Sequence, residues 1–205
     1  MKRLAALLLA MAMTLAFAGC TDGKQNSEPI SQSTESSESS EFVEAIPYDN
    51  DSAEAVLSDI MKDYPEDKAF PMGGGDVENM VENGPGKVSL ENPEILDNLL
   101  SIPAFAAERI DSAASLVHMM NANMFTAGAF HLKDASTSKD FIEEVKANIS
   151  TKQWLCGSPE KLIIANVGDY VVVSYGAEEI MDVFKAQLTK NIASAEIAVD
   201  EAIGQ

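Results

Sequence analysis

The chain has 205 residues, with 14 basic and 33 acidic side chains and a formal net charge of −19 at neutral pH. A surface this acidic repels nucleic acid and anionic lipid headgroups, so the composition argues against both as partners. An envelope protein or a cationic ligand remains compatible with it.

The first 20 residues have the order of a targeting segment. Lys2 and Arg3 give a positive start, residues 4–17 form an apolar run too short to span a membrane, and Ala-Gly-Cys follows at 18–20. This order resembles a bacterial lipoprotein signal peptide. The resemblance implies that Cys20 becomes the first residue of the mature chain and carries lipid, including palmitate. This lipid would anchor the chain on the extracytoplasmic face of the cell membrane. An ordinary secretory signal and an uncleaved anchor are the alternatives.

Residues 21–51 are rich in Ser and Glu, with almost no apolar side chain before Phe42. Such a composition cannot bury enough surface to offset chain entropy, which predicts a disordered linker. Loss of the signal peptide removes Lys2 and Arg3, leaving 12 basic and 33 acidic residues and a net charge of −21. We expect one folded domain over 52–205.

The domain is predicted to begin with helices and a loop. Ser52 or Asp51 can cap a first helix, which Pro65 ends. Residues 65–90 contain Gly73-Gly74-Gly75 and read as a loop, with a short helical turn over 76–82. Asn92, followed by a proline, predicts the start of a second helix.

Two strand–strand–helix units are expected next. The first comprises strands 113–120 and 124–132 and a helix over 138–150, and the second comprises strands 162–167 and 170–175 and a helix from Ala177. Thr137 and Asp140 have the spacing of a capping box. Together the units predict an α+β domain with a four-stranded, mainly antiparallel sheet and helices on one face, in addition to the N-terminal helices.

The last helix is expected to continue past Lys190. Apolar side chains recur every three to four residues from Ile180 to Ile203, which indicates one helical stripe. The part beyond Asn191 would pack either on the N-terminal helices of the same domain or on a partner.

Cys156 would have no partner within the chain once Cys20 is lipidated, so no internal disulfide is expected. Its thiol is then either buried and inert or free to pair between molecules. The apolar neighbours Trp154 and Leu155 favour burial.

The stretch from about Met119 to Leu188 carries features of a known family. They are Lys-Asp after an alanine-rich strand, Trp154, Ser158-Pro159-Glu160, and Gly168-Asp169-Tyr170 before a valine-rich strand and a helix with Phe184-Lys185. In these features the chain resembles small bacterial lipoproteins that share domain of unknown function 4358. The resemblance implies a surface lipoprotein and supplies no catalytic residues.

A histidine- and methionine-rich hairpin is the sharpest candidate for metal chemistry. It contains His118, Met119, Met120, Met124 and His131, and imidazole with thioether sulfur favours Cu(I). In a strand, however, Met119 points away from the face that His118 and Met120 share, so the five cannot all converge.

A cell-envelope hydrolase is the other chemical alternative, because Glu143-Glu144 and Glu178-Glu179 are adjacent acids. All four lie early in predicted helices, where the helix dipole stabilises negative charge. The sequence has no Ser-His-Asp set, no His-Glu-x-x-His run and no Cys-x-x-Cys pair, so we expect no catalytic residues and no cofactor.

The sequence therefore predicts a membrane-tethered extracytoplasmic lipoprotein that acts as a binding or interaction module. An enzyme would gather polar groups in a concave pocket, whereas an interaction module would expose an apolar patch or an open sheet edge. Copper binding and hydrolysis are retained as alternatives.

Overall fold

The computed structural model describes residues 52–155 and 157–203. The described strands are β1 (Met72–Gly74), β2 (Val81–Glu82), β3 (Gly86–Lys87), β4 (Ile110–His118), β5 (Phe125–Leu132), β6 (Lys161–Val167), β7 (Tyr170–Gly176) and β8 (Ala195–Ala202). The described α-helices are α1 (Ala53–Met61), α2 (Pro93–Leu100), α3 (Ala104–Ala107), α4 (Ser138–Thr151) and α5 (Glu178–Asn191). The predictions for Cys20, the linker 21–51 and Cys156 lie outside the described residues.

One antiparallel sheet holds all eight described strands. Its order is β2-β1-β4-β5-β7-β6-β8, and β3 also pairs with β4. The domain is α+β, but the predicted sheet of four strands with helices on one face is wrong. The extra strands β1, β2 and β3 are two or three residues long, which is too short for an alternating pattern to reveal them.

Helices cover both faces of the sheet, and a hydrophobic core lies on each side. The core under α1 and α5 includes Leu57, Phe125 and Phe184. The core under α2, α3 and α4 includes Leu96 and Phe130. Every residue of β7 is buried, which fits its mostly apolar sequence because a strand covered on two sides needs no polar face.

The first two helices begin at the predicted caps. The Ser52 side chain accepts a hydrogen bond from the Ala55 amide at 3.2 Å, and the Asn92 side chain accepts one from Glu94 at 3.0 Å. The predicted capping box of α4 is wrong, because Thr137 makes no side-chain cap bond. Residues 135–137 form a 3-10 turn that leads directly into α4, so the backbone itself continues into the helix.

Residues 195–202 form strand β8, so the prediction of a helix continuing past Lys190 is wrong. The reason is a bulge: Val199 pairs with Ile164 and Ile197 pairs with Ala165, which leaves Ala198 without a partner on β6. Ile197 therefore packs on the core under α1 and α5, whereas Val199 packs on the opposite core. Because the strand changes face at the bulge, its apolar residues do not alternate strictly, and their spacing resembles that of a helix.

The last residue of α5, Asn191, binds the C-terminal end of α1. The Asn191 side chain donates hydrogen bonds to the carbonyl groups of Asp59, Ile60 and Lys62, at 3.1, 3.2 and 2.8 Å. These carbonyls lie at the C-terminal end of α1 and have few partners within that helix. Asn191 thus ties α5 to α1.

In the part of the chain that the structure describes, no helix has the length and apolar character needed to cross a membrane.

Candidate functional site

The two histidines of the predicted metal site lie at opposite ends of the β4–β5 pair. His118 follows Val117, which pairs with Thr126, whereas His131 pairs with Ser112. They are about six residues apart along the ladder, which is roughly 20 Å at the rise of a strand. His131 therefore cannot bind the same ion as His118, Met120 or Met124 near the other end.

Each histidine has a local partner that accounts for its position. His118 Nδ1 accepts the amide hydrogens of Met120 and Asn121 at 3.1 and 3.3 Å, and its ring stacks on Phe70. His131 Nδ1 lies 2.6 Å from Asp111 Oδ1. Among the described residues, no group of three or more His, Cys, Asp or Glu side chains is placed to hold a metal.

The adjacent acids do not form a catalytic carboxylate pair. Glu144, on α4, forms an ion pair with Arg109 at 2.8 Å, and Glu179, on α5, forms one with Lys68 at 2.7 Å. Because α4 and α5 pack on opposite faces of the sheet, the sheet separates the two pairs.

A lysine–serine contact is the most enzyme-like arrangement in the described structure, and no motif in the sequence predicts it. Lys152 Nζ donates to Ser101 Oγ at 2.8 Å and to the Asp97 carbonyl at 2.9 Å, and the Tyr175 hydroxyl lies 3.1 Å from Ser101 Oγ. Lysine can activate a serine nucleophile in this geometry. Ser101, however, is fully buried, so a substrate has no access to its hydroxyl. Burial lowers the pKa of Lys152, an effect that the charge of Asp97 opposes.

An apolar cleft of about 440 Å³ lies where the glycine-rich passage meets the end of β4. We call it the methionine cleft. Its walls are β1, the loop that follows β1, one side of α2 and the end of β4. The lining residues are Gly73, Gly74, Gly75, Asp76, Val77, Met80, Ile95, Asn98, Leu99, Val117 and Met119.

Glycines bring the backbone of the cleft wall close to its neighbours. A Cβ atom on Gly74 would lie 2.2 Å from the Ser115 carbonyl oxygen and 2.3 Å from the Gly86 nitrogen. Gly75 has a φ of +86°, and its amide donates to Ser115 Oγ at 2.8 Å. These positions require glycine because a side chain would collide with main-chain atoms.

Asp76 organises the loop that forms the rim. Its Oδ1 atom accepts the amide hydrogens of Glu78 and Asn79 at 3.0 Å each and the Asn79 side-chain amide at 2.9 Å, while Oδ2 accepts the Ser89 amide at 2.6 Å. Burial alone would raise the pKa of Asp76, but these hydrogen bonds together lower it. The bonds hold residues 76–80 in a turn, so the predicted helical turn over 76–82 is wrong.

Exposed apolar side chains surround the cleft. Val77, Met80 and Met119 are 91%, 68% and 52% exposed although each lines the cavity. Contiguous exposed apolar surface is typical of binding sites, and methionine adapts its shape to different ligands. The sequence placed Met119 in the histidine- and methionine-rich hairpin and the glycines in a loop, but it did not show that the two meet.

Two larger hollows have charged walls. One, of about 760 Å³, lies beside Lys152, Trp154 and Glu201, and the other, of about 670 Å³, lies beside Phe105 and Lys133. Two of these charged groups already have partners, since Glu201 binds Lys146 at 2.6 Å and Lys133 donates to the Glu108 backbone carbonyl.

We found no match to the chain among protein-family models, curated proteins or solved structures.

Proposed function

We propose that this chain is a ligand-binding module, held outside a cell membrane through a lipid on Cys20, whose methionine cleft takes an apolar group. The observation that carries the proposal is the exposure of Val77, Met80 and Met119 around one cavity. A ligand that covers these side chains removes apolar surface from water, which stabilises the complex by about 25 cal/mol for each Å² of apolar surface buried. The volume of the cleft falls within the range of small-molecule sites, about 300–1,000 Å³.

Binding explains the cleft better than catalysis does. Among the described residues, Asp76 is the only ionisable one in the lining, and hydrogen bonds from the protein occupy both of its carboxylate oxygens. General acid–base catalysis needs a group that reaches the proton it moves, and nucleophilic catalysis needs a nucleophile beside a base. The lining of the cleft offers neither.

The tether supports the same function from the sequence. A lipidated Cys20 and a Ser- and Glu-rich linker would present the domain some distance from the membrane, where it can meet ligands in the envelope. The acidic surface keeps such a domain soluble close to anionic lipid.

The test uses the purified full chain and the neutral fluorescent probe N-phenylnaphthylamine, whose emission rises in apolar surroundings. The double variant Val77→Thr/Met80→Gln keeps side-chain size at two exposed positions while making the rim polar. We expect it to bind the probe about tenfold more weakly, as about 1.4 kcal/mol of lost apolar contact implies.

The matched control is Met120→Gln/Leu155→Gln. It changes two side chains that are equally exposed but do not line the cleft. We expect the control to bind the probe as the unchanged chain does. If neither double variant alters the affinity, or if the unchanged chain does not bind the probe, the proposed function is wrong.

A further inference from the structure

We infer that the methionine cleft selects cationic amphiphiles, in which a positively charged head adjoins an apolar chain; this inference rests on the proposed binding of apolar groups. It starts from Asp76, the one ionisable residue that the described part of the chain contributes to the lining. The Asp76 side chain is 8% exposed, and it forms no ion pair with any described residue.

The hydrogen bonds to Asp76 keep its charge without cancelling it. All four come from neutral amide groups, those of Glu78, Asn79 and Ser89. Neutral donors stabilise a carboxylate, but the net charge of the group stays at −1. Because the Asp76 side chain is only 8% exposed, water screens its charge less than it would screen a fully exposed carboxylate.

Two further carboxylates flank the cleft. Glu78 follows Val77 on the rim loop, and Glu94 precedes Ile95 on α2; both glutamates are exposed. Neither side chain is in an ion pair within the described part of the chain. On each wall of the cleft, an exposed carboxylate thus lies one residue in sequence from a lining side chain, Val77 on the rim loop and Ile95 on α2.

No basic side chain of the described structure lines the cleft to balance this charge. Lys87, the basic residue nearest in sequence to the rim loop, pairs with Ala114 on β4. Ala114 belongs to the core under α1 and α5, and residues directly opposite in an antiparallel pair point to the same face. Lys87 thus lies on the other face of the sheet from α2.

The chain as a whole acts in the same direction. A net charge of −21 after loss of the signal peptide draws cations towards the surface and repels anions. An amphiphile with a quaternary ammonium head should therefore bind more tightly than a neutral one, and a fatty acid or alkyl sulfate of the same chain length should bind least.

The experiment compares three ten-carbon probes below their micelle concentrations: decyltrimethylammonium, decanol and decyl sulfate. Each displaces N-phenylnaphthylamine from the full chain at low ionic strength and again at high salt. At low ionic strength we expect decyltrimethylammonium to bind about tenfold more tightly than decyl sulfate, which corresponds to about 1.4 kcal/mol. High salt should reduce this ratio, because exposed charges on the rim are screened.

Variants separate the cleft from general adsorption on an acidic surface. Glu78→Gln/Glu94→Gln changes two exposed side chains and should lower the preference for the cationic probe about threefold, since each exposed charge contributes little. Glu143→Gln/Glu178→Gln, exposed on other helices, should leave the preference unchanged.

The outcomes distinguish the inference from the proposed function. If the three probes bind equally and Val77→Thr/Met80→Gln weakens all of them, the cleft binds apolar groups and the charge selection is wrong. If decyltrimethylammonium binds but Val77→Thr/Met80→Gln does not weaken its binding, the cation adsorbs elsewhere and the inference also fails. If the unchanged chain binds none of the three, the proposed function fails with it.

Discussion

Lys152 Nζ lies 2.8 Å from Ser101 Oγ and joins the start of the segment after α4 to the end of α2. Ser101 has a left-handed backbone, with φ 59° and ψ 32°, and its side chain is fully buried. The ammonium group also reaches the Asp97 carbonyl at 2.9 Å. The contact therefore satisfies polar groups at a helix end that packing has removed from water.

Lys152→Met should destabilise the domain by about 1–3 kcal/mol, because it removes the hydrogen bonds to the buried Ser101 hydroxyl and to the Asp97 carbonyl. The Tyr175 hydroxyl remains as the other partner of Ser101 Oγ. Urea unfolding monitored by circular dichroism measures the loss. Lys139→Met, on an exposed position of α4, is the control and should change the free energy of unfolding by less than about 0.5 kcal/mol. Equal effects of the two substitutions would contradict a structural role for the Lys152 contact.

The charge of Asp76 should make stability depend on acid pH. The pKa of Asp76 in the folded chain lies below its ordinary value of 3.8, so its contribution is fully present above that value. It is lost as the pH falls through the folded pKa. In urea titrations, Asp76→Asn should be less stable than the unchanged chain at pH 7, and the difference should shrink below pH ~4. A difference that stays constant with pH would show that the charge of Asp76 does not matter.

Two neighbouring glycines should respond differently to alanine. Gly74→Ala places a Cβ against the main chain of β4, so we expect a loss of at least about 2 kcal/mol. In Gly73→Ala, the new Cβ atom would lie 2.5 Å from Met119 Sδ, but the end of that flexible side chain can move away. This variant should stay folded but bind N-phenylnaphthylamine more weakly, because the position of Met119 changes. Thermal unfolding and probe titration on both proteins test the contrast.

Lipidation of Cys20 is open to a direct test in growing cells. Cys20→Ser should abolish the incorporation of labelled palmitate and reduce the share of the chain in the membrane fraction. Cys156→Ser keeps the lipidation position and should be labelled normally. Equal labelling of both variants would mean that Cys20 is not the anchor.

The parts of the fold that could be predicted depend on short-range chemistry. The caps at Ser52 and Asn92 and the turn at Gly168-Asp169 use neighbouring residues only, so their patterns are visible in the sequence. The bulge at Ala198 could not be foreseen, because it is defined by pairing with β6, more than thirty residues earlier. The apolar spacing that results from this bulge predicts a longer helix, which the structure does not have.

The candidate site was predictable only in pieces. The sequence singled out the glycine passage and the methionine hairpin as separate features, and the pairing of Gly73 with Val117 brings them together. The third wall comes from Ile95 and Leu99 on α2, which look like ordinary core positions. A cavity shared by three distant segments leaves no periodic signal in any of them.

The bulge in β8 also affects how the domain meets its own copies. In the described sheet, β8 forms one edge and the two-residue strand β2 forms the other. The interruption at Ala198 and the acidic side chains of Glu196 and Asp200 make the longer edge a poor template for a strand from a second molecule. Copies of the folded domain should therefore stay separate even at high local concentration.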